Sequence, residues 1–195
     1  MSAPLLTLRD AARVAGHSRW LEMRLFEVVG EWVAAEPDPA VKAMLSRQSL
    51  HHAWHADVWR DRGPLVAHLD ADELTVPAGP GAVAMVDTLA ATAGPDQTVE
   101  RLVSLARVVL PRLVAAYGAR LEAAHSLADG PTVRWLGHVV ADEAAALGEV
   151  EARLAAVLGG SGPEGADRAS AHEAAVGAAL PGGGGLIGLA VTFQA

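Results

Sequence analysis

The stretch VAAEPDPAVKAML, residues 33–45, gives the first indication of the fold, because it joins two segments with apolar stripes through a short turn. In the segment before the turn, residues 7–35, apolar side chains recur at alternating spacings of three and four, the period of one helix face. Residues 38–62 repeat the pattern after it. Pro37 and Pro39 stop the first helix, and Asp38 is suited to cap the second. The sequence therefore predicts two antiparallel helices in a hairpin.

Two later segments with helical periodicity complete an all-α prediction. They are residues 96–127, in which Pro111 predicts a kink or a local break, and residues 132–158, which follow an Asp-Gly-Pro turn. The connection between the two hairpins is long enough to run the length of a bundle. We therefore expect an up-down-down-up four-helix bundle with a long crossover between the second and third helices. The bundle is assigned to residues 1–158, and residues 159–195 to a Gly-rich linker, a short helix and an apolar tail.

The composition argues against some kinds of binding partner and gives an expectation for the cellular location. The chain has a net charge of −8 and no run of basic residues, which argues against nucleic acid and against an anionic membrane surface. It contains no cysteine, so disulfides and thiolate metal sites are excluded. The N-terminus lacks the basic start and apolar run of a signal peptide, and we expect a cytoplasmic protein.

Polar side chains interrupt the apolar stripes at a few positions. Glu22 lies at the edge of the first stripe, Gln48, His52 and His55 lie on the second, and Glu143 lies on the fourth. At 1.5 Å per residue, Glu22 and His52 are each about 22 Å from the first turn, and Glu143 is about 20 Å from the second. In a bundle roughly 40 Å long with turns at opposite ends, these side chains meet at one level. Buried carboxylates and imidazoles are costly unless they are paired or bind a metal such as iron, manganese or zinc.

The third helix offers two candidates for the same level. Tyr117 lies on its apolar stripe at the height of Glu143, whereas Glu122 is about 7 Å lower and further to the side. A kink at Pro111 could bring either into place. His51, off the centre of its stripe, is expected at the surface. A second group of ligand-type residues is expected lower in the bundle, more readily as a solvated salt-bridge network than as a surface metal site: Glu122, His125, His138 and Asp142.

The pattern resembles the ferritin-like superfamily, whose di-iron centres use a Glu from each of two helices and a Glu-x-x-His from each of the other two. The resemblance covers about residues 7–158. HAWHADVWR, residues 52–60, resembles the second-helix motif, with His55 at the metal-binding His. Glu22 resembles the first-helix ligand and Glu143 the fourth-helix carboxylate. The ligand set departs from the pattern, because His52 replaces a Glu and Ala146 replaces a His. One metal, a rearranged pair of metals or no metal therefore all remain open.

This resemblance implies a metal-dependent redox protein or oxidase that uses iron or manganese. The implied ligands are Glu22, His52, His55 and Glu143, completed by Tyr117 or Glu122 and with Gln48 as an additional site residue. The alternative is a metal-free bundle that acts as a binding or protein-interaction module. A third hypothesis is a metal-free pocket in which Glu143 and His55 serve as general base and acid.

Two expectations concern partners. A homodimer through helix faces is expected from the bundle architecture. The apolar tail that follows the glycine run could dock on a partner, although packing back onto its own bundle or onto a dimer mate is favoured.

Overall fold

The computed structural model describes residues 7–64, 67–68, 70–124, 130–180 and 185–188. All regular secondary structure in these ranges is helical, which confirms the all-α prediction. The elements are α1 (Leu8–Ala35), α2 (Pro39–Arg62), α3 (Pro80–Ala90), α4 (Thr98–Val103), the π-helical segment π1 (Ser104–Val109), α5 (Leu110–Ala123) and α6 (Gly130–Ala178).

The turn between α1 and α2 forms as its sequence predicts. The N–H of Glu36 bonds to the carbonyl of Trp32 and ends α1. The Asp38 carboxylate then accepts hydrogen bonds from the backbone N–H groups of Ala40, at 2.7 Å, and Val41, at 3.1 Å. These bonds satisfy donors that the start of α2 would otherwise leave without partners. The two helices therefore pack side by side, and their buried stripes face the same core.

A buried ion pair fastens this turn to the start of the third helical run. Arg101 and Glu36 are both fully buried, and Arg101 Nη1 lies 2.9 Å from Glu36 Oε2. Thr98 Oγ1 donates to the same carboxylate at 2.9 Å. The guanidinium also donates to the carbonyls of Thr92 and Gly94. A buried ion pair is tolerated when its remaining polar atoms also have hydrogen-bond partners, and the bonds to Thr98, Thr92 and Gly94 meet this condition.

The irregularity expected at Pro111 takes the form of a π-helical segment. Across π1 the hydrogen-bond spacing lengthens, and the N–H of Leu110 bonds to the carbonyl of Leu105. Proline has no N–H to donate, so a wider turn just before it absorbs the interruption while the chain continues as α5. The helical run from α4 through α5 stays continuous past the proline.

That run, Thr98–Ala123, is the one helix in the described part of the chain that is long and apolar enough to cross a bilayer. Length and composition alone give this result, and a core helix of a soluble protein passes the same test. Here the apolar side chains of the run pack into the shared core with α1, α2 and α6. We treat the run as a core helix.

α6 bends sharply at Gly162. This residue has φ +64° and ψ −165°, a backbone conformation that favours glycine, and Pro163 follows it. The helix runs without interruption through residues 159–161, where the sequence predicts the start of a linker. The interruption is therefore one residue wide, and the helix resumes as a second arm.

The second arm of α6 packs along α4 and π1. Arg168 pairs with Glu100 at 2.8 Å, and Ser104 Oγ lies 2.8 Å from His172 Nε2. The Val176 side chain is fully buried. These contacts join the region after residue 158 to the same core as the earlier helices.

Part of the apolar tail also packs back on its own chain. Leu186 and Ile187 are buried, and Gly188 has φ +73°. A Cβ atom at Gly188 would lie 2.6 Å from His17 Nδ1, so only glycine allows this approach. Residues 189–195, which carry the rest of the tail, lie outside the described residues.

Candidate metal centre

Four buried ionisable side chains from three helices converge in the core. Glu22 comes from α1, His52 and His55 from α2, and Glu143 from α6, and none is more than 2% exposed. One possible ligand atom from each lies within 4.8 Å of the others. Their spacing along the helices, counted from the turns, predicts this common level.

In both imidazoles, Nδ1 is the ring atom that lies nearest the two carboxylates. His52 Nδ1 lies 2.7 Å from Glu22 Oε2 and 3.6 Å from Glu143 Oε1. His55 Nδ1 lies 3.1 Å from Glu143 Oε1 and 3.8 Å from Glu22 Oε2. The planes of the two rings are nearly perpendicular, at 84°. Two nitrogens and two oxygens therefore surround one centre.

Two further side chains hold members of this cluster in place. Tyr117 is fully buried on α5, and its hydroxyl donates to Glu22 Oε1 at 2.6 Å. Asp142, on the edge of α6, places Oδ2 3.3 Å from His55 Nε2. A carboxylate on the outer nitrogen of an imidazole fixes the orientation of the ring and leaves the inner nitrogen free to bind.

The structure decides between the two candidates on the third helix. Tyr117 reaches the cluster, whereas Glu122 is exposed at the end of α5 and does not. Glu122 is therefore not among the residues that the structure brings together at the cluster. Its spacing from Tyr117, five residues, turns it about 140° around the helix and away from the core.

The second group of ligand-type residues is not assembled within the described ranges. Asp142 turns toward His55, and His138 is exposed beside the ring of Trp135, with the ring centroids 5.9 Å apart. His125 lies outside the described residues. The role of Asp142 at the principal cluster was not predicted, although its place directly before Glu143 was visible in the sequence.

Gln48 lies one helical turn from His52 and is 3% exposed. Within the described structure, neither its Oε1 nor its Nε2 has a hydrogen-bond partner. It lines a narrow crevice between α2 and α6 together with His51, Ala146 and the cluster residues. His51 is partly exposed at this crevice.

The cluster balances its charges internally. Burial by itself raises the pKa of Glu22, but the hydrogen bond with His52 and the approach of His55 outweigh it and lower this pKa to about 2. Burial lowers the pKa of His55, but contacts with Glu143 and Glu22 raise it to about 11. The pKa of His52 is also raised, since the Glu143 charge and the Glu22 hydrogen bond outweigh burial. His55 is therefore protonated at neutral pH, and the contacts of His52 with the two carboxylates favour its protonated form.

The donor atoms suit a divalent metal ion. Ligand atoms about 2.0–2.2 Å from a shared ion lie no more than about 4.4 Å apart, and three of the four ligand spacings given above are already inside 3.7 Å. Nitrogen and carboxylate oxygen together suit iron, manganese or zinc. A divalent ion would replace the two imidazole protons as the counter-charge of the carboxylates.

Comparison with known proteins gives no relative for this chain. It matches no protein-family model, no curated protein sequence and no solved structure. The cluster itself is therefore the basis for the function proposed below.

Proposed function

We propose that this chain is a ferritin-like protein that binds iron or manganese at the cluster of Glu22, His52, His55 and Glu143 and uses it for redox chemistry. The observation that carries the proposal is the convergence of two carboxylates and two imidazole Nδ1 atoms, all buried, within 4.8 Å. The proposed architecture is the up-down-down-up four-helix bundle. Its helices would be α1, α2, the run from α4 through α5, and the first arm of α6.

Each residue has a distinct role in this proposal. Glu22 and Glu143 supply oxygen ligands, and His52 and His55 supply Nδ1 once their protons have left. Asp142 accepts the Nε2–H of His55 and fixes the tautomer that binds. Bound iron or manganese would supply one-electron chemistry toward dioxygen or peroxide. The apolar side chains around the cluster keep bulk water from it.

The ligand set favours one metal over a symmetric pair. A paired centre needs bridging carboxylates, and the cluster has only Glu22 and Glu143 in ligand positions. His52 stands where the bridging carboxylate of the resembled motif would be, and Ala146 brings no ligand atom. Two imidazoles and two carboxylates are sufficient for a single ion.

Metal analysis of protein purified without a histidine tag tests the proposal. Near-stoichiometric iron or manganese that disappears in Glu143→Ala and His55→Ala variants would support it. Glu122→Ala removes an exposed carboxylate and is the matched control, with metal content expected to stay unchanged. Metal retained by both cluster variants, or lost equally in the control, would count against these ligands.

A metal-free binding or interaction module is the second candidate, and one observation favours it. His52 pairs with Glu22, His55 pairs with Glu143, and Tyr117 caps Glu22, so the ligand atoms already satisfy one another. On this alternative the cluster is a buried ion-pair network. Protein purified free of metal, with a thermal midpoint unchanged by added chelator or by added metal, would favour it.

A further inference from the structure

A group of large apolar side chains lies exposed on the outer face of the α1–α2 hairpin. This hairpin patch consists of Met23 and Phe26 on α1 and Leu50 and Trp54 on α2, each between 37% and 65% exposed. The two on α1 are three residues apart and the two on α2 are four apart, so each pair lies on one face of its helix. None of the four belongs to the buried stripes with which α1 and α2 face the core.

The two halves of the hairpin patch meet at one height along the hairpin. Ser49 Oγ donates to the backbone carbonyl of Phe26 at 3.0 Å, which shows how the two helices are offset. Because the helices are antiparallel, Met23 then lies level with the middle of the interval between Leu50 and Trp54. At 1.5 Å per residue, all four side chains start within about 8 Å of one another along the hairpin axis. They therefore form one continuous surface across both helices.

The exposed area of the hairpin patch fits the apolar centre of a dimer interface. A whole aromatic side chain covers about 200 Å², so Phe26 and Trp54 each expose about 100 Å². With Met23 and Leu50 the patch exposes roughly 400 Å², the size of the largest and often functional apolar patches on monomeric proteins. Two facing copies would bury about 800 Å² of apolar surface, half of the area of a standard interface. The polar surface around the patch supplies the remainder, as the rim of an interface does.

The charges around the hairpin patch favour a second copy of this chain over a strongly charged partner. Arg24 forms an ion pair with Glu27 beside the α1 half of the patch, and Asp57 forms one with Arg60 just beyond the α2 half, at 2.8 Å. Both signs of charge are therefore present on each flank. A two-fold axis through the patch sets uncharged side chains against each other at the centre and paired charges at the rim, so like charges do not accumulate.

From the area, the continuity and the charges of the hairpin patch we infer that it is a homodimer interface, which two copies of the chain form about a two-fold axis. Trp54 is the anchor of this interface, since a large aromatic side chain near the centre contributes most to such contacts. The patch lies on the side of α1 and α2 opposite the buried cluster. The inference goes beyond the proposed function and does not rest on a bound metal.

Sedimentation velocity of the full chain over a series of micromolar concentrations tests the inference. We expect the wild type to sediment as a dimer, with twice the 20.1 kDa mass of one chain. Leu50→Glu places a charge from each copy in the interface and should raise the dimer dissociation constant about a hundredfold or more. Leu8→Glu is the matched control, because Leu8 is similarly exposed, at 58%, but lies about 22 Å from Met23 along α1. Its dissociation constant should equal that of the wild type.

Cross-linking gives a second test, because the chain contains no cysteine. Met23→Cys introduces a single thiol into the patch, and a short bis-maleimide should join two copies through it, whereas Leu8→Cys should give no linked dimer. Circular dichroism checks that each variant is folded. A wild type that is monomeric at every concentration, or a dimer that persists unchanged in folded Leu50→Glu, overturns the inference. Should Leu50→Glu unfold the protein, the Met23→Cys variant decides alone, and absence of a linked dimer overturns it.

Discussion

Metal binding to this cluster should release two protons. His55 carries one proton at neutral pH, because its pKa is raised to about 11, and the raised pKa of His52 favours a second proton on that ring. Both Nδ1 atoms point at the site that the metal would occupy, so a ligand bond can form only after each proton leaves. Glu22, with a pKa of about 2, has no proton to lose.

The size of the effect follows from the proton count. Each released proton steepens the dependence of affinity on pH by about one tenfold step per pH unit, so two give about a hundredfold. This corresponds to about 2.7 kcal/mol of binding free energy per pH unit. Since protons compete with the metal, affinity rises with pH. This dependence of metal affinity on pH is expected between pH 6 and 8, where His55 stays protonated in the metal-free protein.

Isothermal titration calorimetry in buffers of different ionisation enthalpy measures the count directly. The observed enthalpy, plotted against the buffer enthalpy, should have a slope of about two protons per metal. His52→Gln removes one of the two titrating rings and should lower the slope to about one. His138→Gln, at an exposed imidazole outside the cluster, should leave it at two. A slope near zero for the wild type would refute the protonated ion-pair arrangement, whatever the metal affinity.

Four other outcomes are expected. The metal-free protein should be most stable between about pH 4.5 and 6.5. The stability that Glu22 contributes is lost as the pH falls from 4.5 toward 2, and the stability that His55 contributes is lost as the pH rises from 6.5 toward 11. Thermal melts across this pH range measure the effect, and a flat profile would contradict it. Tyr117→Phe should cost about 1.5–3 kcal/mol in urea unfolding with metal content unchanged, whereas loss of metal would make Tyr117 a ligand. Asp142→Asn should weaken metal binding about 10- to 100-fold in competition titrations, and unchanged affinity would remove its orienting role. Arg101→Met leaves its buried partner carboxylate unpaired and should cost about 3–5 kcal/mol; a cost below about 1 kcal/mol would show that the pair is dispensable.

The local architecture could be predicted from the sequence because it depends on near neighbours. Prolines at 37 and 39 and a capping aspartate fix the α1–α2 turn with groups only a few residues away. An irregularity near Pro111 is predicted for the same reason, since a missing N–H acts on its own helix. The sequence does not predict that this irregularity is a π-helical segment, because its geometry depends on packing against the neighbouring helices.

The candidate site was partly predictable because helical rise is regular. Counting residues from the turns placed Glu22, His52 and Glu143 at one level before any coordinate was known. The same counting left Tyr117 and Glu122 unresolved, since the direction of a side chain after an irregular segment depends on the accumulated rotation of the helix. In the structure, Tyr117 contacts the cluster through its hydroxyl, and Glu122 is exposed to solvent.

Periodicity and capping act over one or two turns of a helix, so the residues alone predict that the chain is helical, where α1 turns into α2, and that His52, His55 and Glu143 lie on inward-facing stripes. The packing of whole helices selects which atoms meet: Asp142 bonds to the outer nitrogen of His55, Arg101 reaches Glu36, and Gln48 lines a crevice with no hydrogen-bond partner among the described residues. These contacts join residues far apart in the chain. They depend on the rotation and offset of whole helices, which the packing of the entire core fixes.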